Sequence, residues 1–141
     1  MMMVVAFLGL ASTTAWAQET ISVEVRVISA DDESDHLDES LEDLRDRLAR
    51  GFRDYTSFTE LDRQRRNIAL DESASFELPT GDTLILTNNG KAEAFVKLGL
   101  NLESRLSTTL RATPGSTFFQ AGLRHEDALL ILAITVSAPK R

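Results

Sequence analysis

Cysteine is absent from the 141 residues of this chain. Without thiols the protein forms no disulfide bond and no structural metal site built on thiolates. The fold must therefore be held together by packing rather than by covalent cross-links.

Positive charge is also in short supply. The chain has 15 Lys and Arg against 22 Asp and Glu, so its formal net charge is −7. Nucleic acids and anionic lipid surfaces repel a protein of this charge. We therefore expect no nucleic-acid partner.

Histidine is rare, and the glycines follow no phosphate-binding pattern. The two histidines, His36 and His125, are too few for a zinc site, and no nucleophile stands on a recognisable sharp turn. Neither GxGxxG nor GxxxxGK occurs. We expect no catalytic residue, no cofactor and no metal ion.

An acidic loop precedes the predicted helix and partly matches a calcium-binding loop. The carboxylates at EF-hand positions 1, 3, 5 and 12 are Asp31, Glu33, Asp35 and Glu42. Position 6 requires glycine for its sharp turn, but this chain has His36 there. We interpret the loop as the solvated start of a helix, with Asp35 or a neighbour as N-cap.

The N terminus carries an apolar segment, MMMVVAFLGLASTTAWA. It is shorter than the ~20 residues of a membrane-spanning helix. It ends in Ala15-Trp16-Ala17, the small-x-small pattern that precedes signal-peptidase cleavage. We expect a signal peptide at residues 1–17, one domain over residues 18–141, and a periplasmic or secreted mature protein without stable membrane insertion.

Two periodic segments follow the signal peptide. Residues 21–27 alternate apolar with polar side chains, which is typical of a half-buried strand. Leucines then recur at helical spacing from Leu37 to Leu48, and Gly51 suits the residue just past a helix C-terminus. The pattern predicts one amphipathic helix of about four turns.

Strand patterns fill the rest of the chain. Residues 54–70 predict two short strands or one bent strand. Asn89-Gly90 is the favoured pair of a two-residue hairpin, and Pro114-Gly115 suits a type II turn between two strands that fold over it. Residues 128–136 are apolar on both faces, which predicts a strand in the middle of a sheet or under the helix.

Two further strands have one apolar face each. In the strand that follows Asn89-Gly90 this face consists of Ala92, Ala94, Val96, Leu98 and Leu100. In the next strand it consists of Leu106, Thr108, Leu110 and Ala112. The whole pattern predicts an α+β fold, with one amphipathic helix packed on a mainly antiparallel meander sheet of about six to eight strands. A second small sheet or a partly closed barrel is the alternative.

A local basic patch contains Arg63, Arg65 and Arg66, with Arg53 nearby. Its charge is opposite to that of the acidic segment at residues 31–43. One interpretation is pairing within the chain or simple solvation, and the other is an anionic partner.

The segment TTLRATPGSTFFQAGL resembles the hairpin of bacterial secretins. The residues that match the secretin pattern are Thr109, Gly115, Thr117, Gly122 and Leu123. The segment LLILAITVSAP resembles the secretin run of apolar residues that ends in Thr-Pro. The gate region between these two parts of a secretin is reduced here to residues 124–127, so a complete pore is not implied.

The overall plan is similar to that of small uncharacterised exported proteins of Gram-negative bacteria. The shared features are the signal peptide, an early helix, the element LPTGDTLIL at residues 78–86 and an ILAI-type last strand. This resemblance implies a fold and an exported location, and it implies no activity.

These observations favour an exported, non-enzymatic protein-interaction module, accessory to an envelope or secretion assembly. Its partner is an envelope protein or a second copy of the chain, bound by strand addition at an open sheet edge or at residues 113–125. The predicted contact residues are Pro114, Gly115, Phe118, Phe119, Arg124 and His125. The alternative is a small periplasmic ligand-binding domain or hydrolase with a site near residues 123–127.

The signal-peptide pattern also predicts the first residue of the mature protein. Because the small-x-small pattern ends at Ala17, protein purified from its native host should begin at Gln18. Mass spectrometry of the intact protein measures this directly. Recovery of the chain with residues 1–17 attached would contradict the predicted signal peptide.

Overall fold

The computed structural model describes residues 20–103 and 106–137. The predicted signal peptide at residues 1–17 lies outside these residues. Nine strands are present in the described part of the chain, and they are β1 (Ile21–Asp31), β2 (His36–Leu37), β3 (Ser57–Ile68), β4 (Ser73–Glu77), β5 (Thr83–Ala92), β6 (Phe95–Leu102), β7 (Leu106–Ala112), β8 (Thr117–His125) and β9 (Ala128–Ser137). A 3-10 helix (Glu39–Leu44) leads directly into a short helix, α1 (Arg45–Gly51).

The strands form two sheets. The large sheet has the order β2-β3-β1-β9-β8 and the small sheet the order β4-β5-β6-β7. Every pairing is antiparallel except that of β2 with β3. The predicted α+β class, mostly antiparallel with a short helix, is confirmed. The strands number nine within the described residues and lie in two sheets, so the alternative with a second sheet describes the architecture better than a single meander.

The large sheet is the middle of three layers. On β1 the side chains of Val23 and Val25 point toward the small sheet, and those of Ile28 and Ala30 point toward the helical segment. β9 likewise contributes buried residues to both interfaces and lies between β1 and β8. The prediction that residues 128–136 form a strand covered on both faces is confirmed.

The observed α-helix is shorter than the four turns that the leucine pattern predicts. Leu37 belongs to β2, and residues 39–44 form a 3-10 helix, so only Arg45–Gly51 is α-helical. The reason is that Asp38 is extended (φ −58°, ψ 142°) and its carboxylate accepts a hydrogen bond from the Glu60 backbone N–H (2.8 Å). The segment before the helix is thereby fixed beside β3, while Leu41, Leu44 and Leu48 are buried as expected.

Asn89-Gly90 does not form the predicted hairpin turn. β5 continues through it to Ala92, and the turn is made by Glu93 and Ala94, with Glu93 at φ 59°. The buried side chain of Asn88 explains the difference, because its Oδ1 accepts from Gly90 N–H (3.0 Å) and its Nδ2 donates to the Ile68 carbonyl (3.0 Å). These bonds hold Asn89-Gly90 in a bulge.

The bulge also changes the predicted apolar face. Ala92 lies on β5 and Ala94 in the turn, so neither shares a strand face with Val96, Leu98 and Leu100 on β6. The face predicted for β7, by contrast, points to the core as expected. The segment of residues 54–70 contains one long strand, β3 (Ser57–Ile68), with a bulge opposite Val27 and Ile28, which confirms the bent-strand alternative.

Pro114-Gly115 forms a turn between sheets and not within a hairpin. The turn has the predicted type II features, with Gly115 at φ 89° and a Ser116 N–H to Thr113 carbonyl bond (3.0 Å). β7 nevertheless pairs with β6, and β8 pairs with β9. Gly115 N–H donates to the Val136 carbonyl (2.7 Å), and this bond places the end of the turn beside β9. The predicted hairpin is therefore a corner that joins the two sheets.

A buried arginine attaches the helical segment to the large sheet. Arg26 is 5% exposed, and its guanidinium forms a bidentate pair with the Asp43 carboxylate (3.1 and 2.8 Å). It also donates to the Ser40 carbonyl (3.3 Å). The hydrogen bonds from Arg26 lower the pKa of Asp43 below its ordinary value.

We predict that Asp43→Asn lowers the free energy of unfolding by about 2 kcal/mol at pH 7, because it removes the carboxylate that pairs with the buried guanidinium and leaves only the more distant Glu24 Oε1, 3.9 Å from Arg26 Nε, as a counter-charge. The loss is smaller than for a fully buried pair because the Asp43 side chain is 61% exposed. A carboxylate with a lowered pKa stabilises the fold above its ordinary pKa, and this contribution is lost as the pH falls through the folded value. The difference between wild type and variant should therefore shrink below about pH 4.

Urea unfolding between pH 7 and pH 3 measures this difference. Asp32→Asn, at an exposed residue of the preceding loop, is the matched control and should be near neutral. An Asp43→Asn variant as stable as this control, or a difference that does not depend on pH, would contradict the assigned role of Asp43.

Candidate interaction surface

Sheet edges are the natural binding surfaces of this architecture. An edge strand presents a row of backbone N–H and C=O groups that lack a partner strand, so proteins protect edges with charges, bulges, short strands or covering side chains. The large sheet ends at β2 with β3 and at β8, and the small sheet ends at β4 and β7. These edges differ in how they are covered.

The β3 edge is covered by neighbouring chain and by charge. β2 pairs with its first two residues, and the Asp38 carboxylate accepts the Glu60 N–H just beyond them. The bulge at Leu61 and the charged side chains that follow it protect the rest of the edge.

The arginines of β3 are largely paired within the chain. Arg63 donates to Glu60 (2.8 Å) and to the Ser40 carbonyl (3.3 Å), and Arg65 donates to Glu24 (2.7 Å). The Arg66 guanidinium lies over the Phe76 ring, 5.6 Å from its centroid. For Arg63 and Arg65 the interpretation as intramolecular pairing is confirmed.

The β8 edge is capped by side chains. Arg47 on α1 donates to the Thr117 carbonyl, and its guanidinium carbon lies 4.7 Å from the centroid of the Phe119 ring. The Gln120 amide donates to the Ala121 carbonyl (3.1 Å). Gly122, at φ 129°, lies at the bulge in the pairing of β8 with β9. Strand addition to β8 would first have to displace these contacts.

The two edges of the small sheet are unequal. β4 is only five residues long, and the Gln64 amide from β3 donates to the Glu77 carbonyl at its end (3.2 Å). β7 is seven residues long and pairs with β6 on one side. Among the described residues no side chain donates to or accepts from its free edge, and residues 106–110 contain no proline, glycine or charge.

An apolar strip lies at the rim beside β7. Leu106 and Leu110 point inward from β7, and Phe118 points inward from β8, and all three are only partly buried against the core between the sheets. On the outer face of β7, Ser107, Thr109 and Arg111 are exposed. Within the described ranges, the edge therefore offers backbone groups without a partner strand, with a mainly apolar inward face and a polar outer face.

The residues predicted as contacts lie along β8 and its two ends. Pro114 and Gly115 are exposed at the corner. Phe118 faces the core between the sheets, whereas Phe119 packs edge-on against Phe52 (5.9 Å between centroids) under the helical segment. The turn at the other end carries Arg124, which is exposed, and His125, which is half-buried with Nε2 3.6 Å from Glu126.

A cleft of about 520 Å³ lies elsewhere, between the start of β2 and α1. His36 lines this cleft, and its Nε2 is 2.7 Å from Oδ1 of the neighbouring Asp38. The hydrogen bond from Glu60 N–H, with that from His36, lowers the pKa of Asp38. Thr56 also lines the cleft, but its hydroxyl donates to the Ser34 carbonyl (2.6 Å). The i, i+2 spacing of His36 and Asp38 on an extended segment could have indicated this pair from the sequence.

In the part of the chain that the structure describes, no three His, Cys, Asp or Glu side chains converge as a metal site would require. None of the described helices is long and apolar enough to span a membrane. The chain has no significant match among protein-family models, curated proteins or solved structures.

We predict that Arg47→Ala destabilises the protein by about 1 kcal/mol, because it removes both the cap on the Thr117 carbonyl and the cation-π contact with Phe119. Arg50→Ala on the same helix is the control, since within the described residues the Arg50 side chain bonds the Asp46 carbonyl of its own segment and no other element. Thermal and urea unfolding compare the two variants. Equal stability of the two would show that Arg47 does not hold the β8 edge.

Proposed function

We propose that this chain is an exported, non-enzymatic module that acts through protein–protein contacts and binds an extended strand along the free edge of β7. The observation that carries the proposal is the contrast between this edge and the other three. β3, β4 and β8 are shortened, paired or capped, whereas β7 is long and uncovered among the described residues.

The chemistry of the edge supports strand addition. The backbone N–H and C=O groups on the free side of β7 supply hydrogen bonds to any extended segment. An added strand would also cover Leu106 and Leu110, whose side chains are incompletely buried in the isolated chain. Backbone bonds would then give affinity, and the alternating side chains would give specificity.

The cellular setting in this proposal rests on the sequence. The predicted signal peptide at residues 1–17 supports export, and the resemblance of residues 108–123 to secretins supports a role beside an envelope or secretion assembly. The alternative, a ligand-binding domain or hydrolase with a site near residues 123–127, remains a prediction. The cleft described above lies at His36 and not at that turn.

The test is site-specific photo-crosslinking in the native host, with a photoreactive side chain in place of exposed Thr109 on β7. Ser75, which is exposed on the same face of the small sheet but on β4, is the control position. Position 109 should give discrete cross-linked species and position 75 none. Absence of cross-links at position 109, with the variant folded and exported, would contradict the proposal.

A further inference from the structure

β7 can pair with a second copy of itself, because one antiparallel register matches its inward and exposed faces and does not place its single charged residue opposite itself. We propose that the strand received by β7 is the β7 strand of a second copy, so that two chains form a symmetric dimer with a continuous eight-stranded sheet. This inference rests on the proposed function, because it names the occupant of the same edge.

The register of such a pair follows from the sequence of β7, LSTTLRA. If two antiparallel copies cross at Thr109, this residue lies opposite itself on the two-fold axis. Ser107 then faces Arg111 of the partner subunit, and Leu106 faces the partner's Ala112. The remaining pair joins Leu110 with the partner's Thr108. Residues of the inward face thus pair with residues of the inward face, and exposed residues pair with exposed residues.

The charges of β7 permit this pairing. Its only charged residue is Arg111, which lies opposite a serine and away from the two-fold axis, so no like charges face each other directly. This is a local exception in a chain of net charge −7. The repulsion between two acidic chains is screened over ~8 Å at physiological ionic strength, so the dimer should strengthen with added salt.

The geometry also limits the assembly to two copies. A pair through β7 leaves β4 as both outer edges of the combined sheet, and β4 is short and covered at its end by Gln64 of β3. Pairing of β7 with itself is isologous, so it closes after one contact and does not propagate into a fibre.

Because the chain has no cysteine, a single introduced thiol reports on this contact without interference. In Thr109→Cys the two thiols would lie on the two-fold axis, where opposed Cβ atoms are ~5 Å apart. Purified full-length mature protein should therefore form a cross-linked dimer with an oxidant or a short bis-maleimide. Ser75→Cys, on the same face, should remain monomeric.

A charge-swap experiment tests the two-fold axis itself. Thr109→Lys and Thr109→Glu each place like charges opposite one another, so each variant alone should dimerise roughly tenfold more weakly than wild type. An equimolar mixture should recover a heterodimer, since Lys then faces Glu. Sedimentation over a concentration series measures both results, and recovery on mixing excludes misfolding as the cause.

The outcomes separate this inference from the proposed function. Efficient Thr109→Cys dimers with recovery on mixing support pairing of β7 with itself. A monomer at all concentrations, without cross-linking, overturns that inference. If position 109 nevertheless cross-links to a different protein in the native host, the partner is not a second copy, although strand binding at β7 stands.

Discussion

The structure depends on one constraint, which is that β1 and β9 carry apolar side chains on both faces. Because these strands lie at the centre of the large sheet, both faces of that sheet must be covered by other elements. The small sheet covers one face, and the 3-10 helix with α1 covers the other, attached by the Arg26–Asp43 pair. The remaining strands are thereby placed outward. β3 and β8 flank the central pair, while the small sheet ends at β7, which no residue of the described ranges 20–103 and 106–137 covers.

Many elements of this fold can be predicted from the residue pattern, because a strand or helix with a buried face repeats its apolar residues at a regular spacing. The two apolar faces of residues 128–136 and the buried Leu41, Leu44 and Leu48 follow from this rule. The alternation of residues 21–27 correctly predicts a strand, but the prediction that it is half-buried is wrong. Arg26 on its polar face is buried and bonds the helical segment, and Ser22 is buried as well. Pairing between strands is not local, and the patterns do not fix it. Pro114-Gly115 makes the same type II turn at a sheet corner as in a hairpin, and the buried Asn88 converts Asn89-Gly90 from a turn into a bulge.

The candidate surface is only partly readable from the sequence. The composition of residues 106–112 marks a strand with one apolar face, but it does not show that this strand ends a sheet. The predicted contact segment, residues 113–125, adjoins the β7 edge but mostly forms β8. That strand is capped by Arg47, which lies 70 residues before Thr117 in the chain. No local sequence pattern predicts a contact between residues so far apart. The sequence therefore does not show that the β8 edge is covered and that, among the described residues, the β7 edge is not.

Residue-resolved amide hydrogen exchange of the full-length mature protein tests the central claim most directly, because it reports the opening of each strand separately. With β1 and β9 as the doubly covered frame, their amides should exchange slowest, near the rate set by global unfolding. Half of the β7 amides, those on the free side, should exchange fast in dilute solution. Uniform protection of all β7 amides at low concentration, or faster exchange in β9 than in β7, would contradict the account.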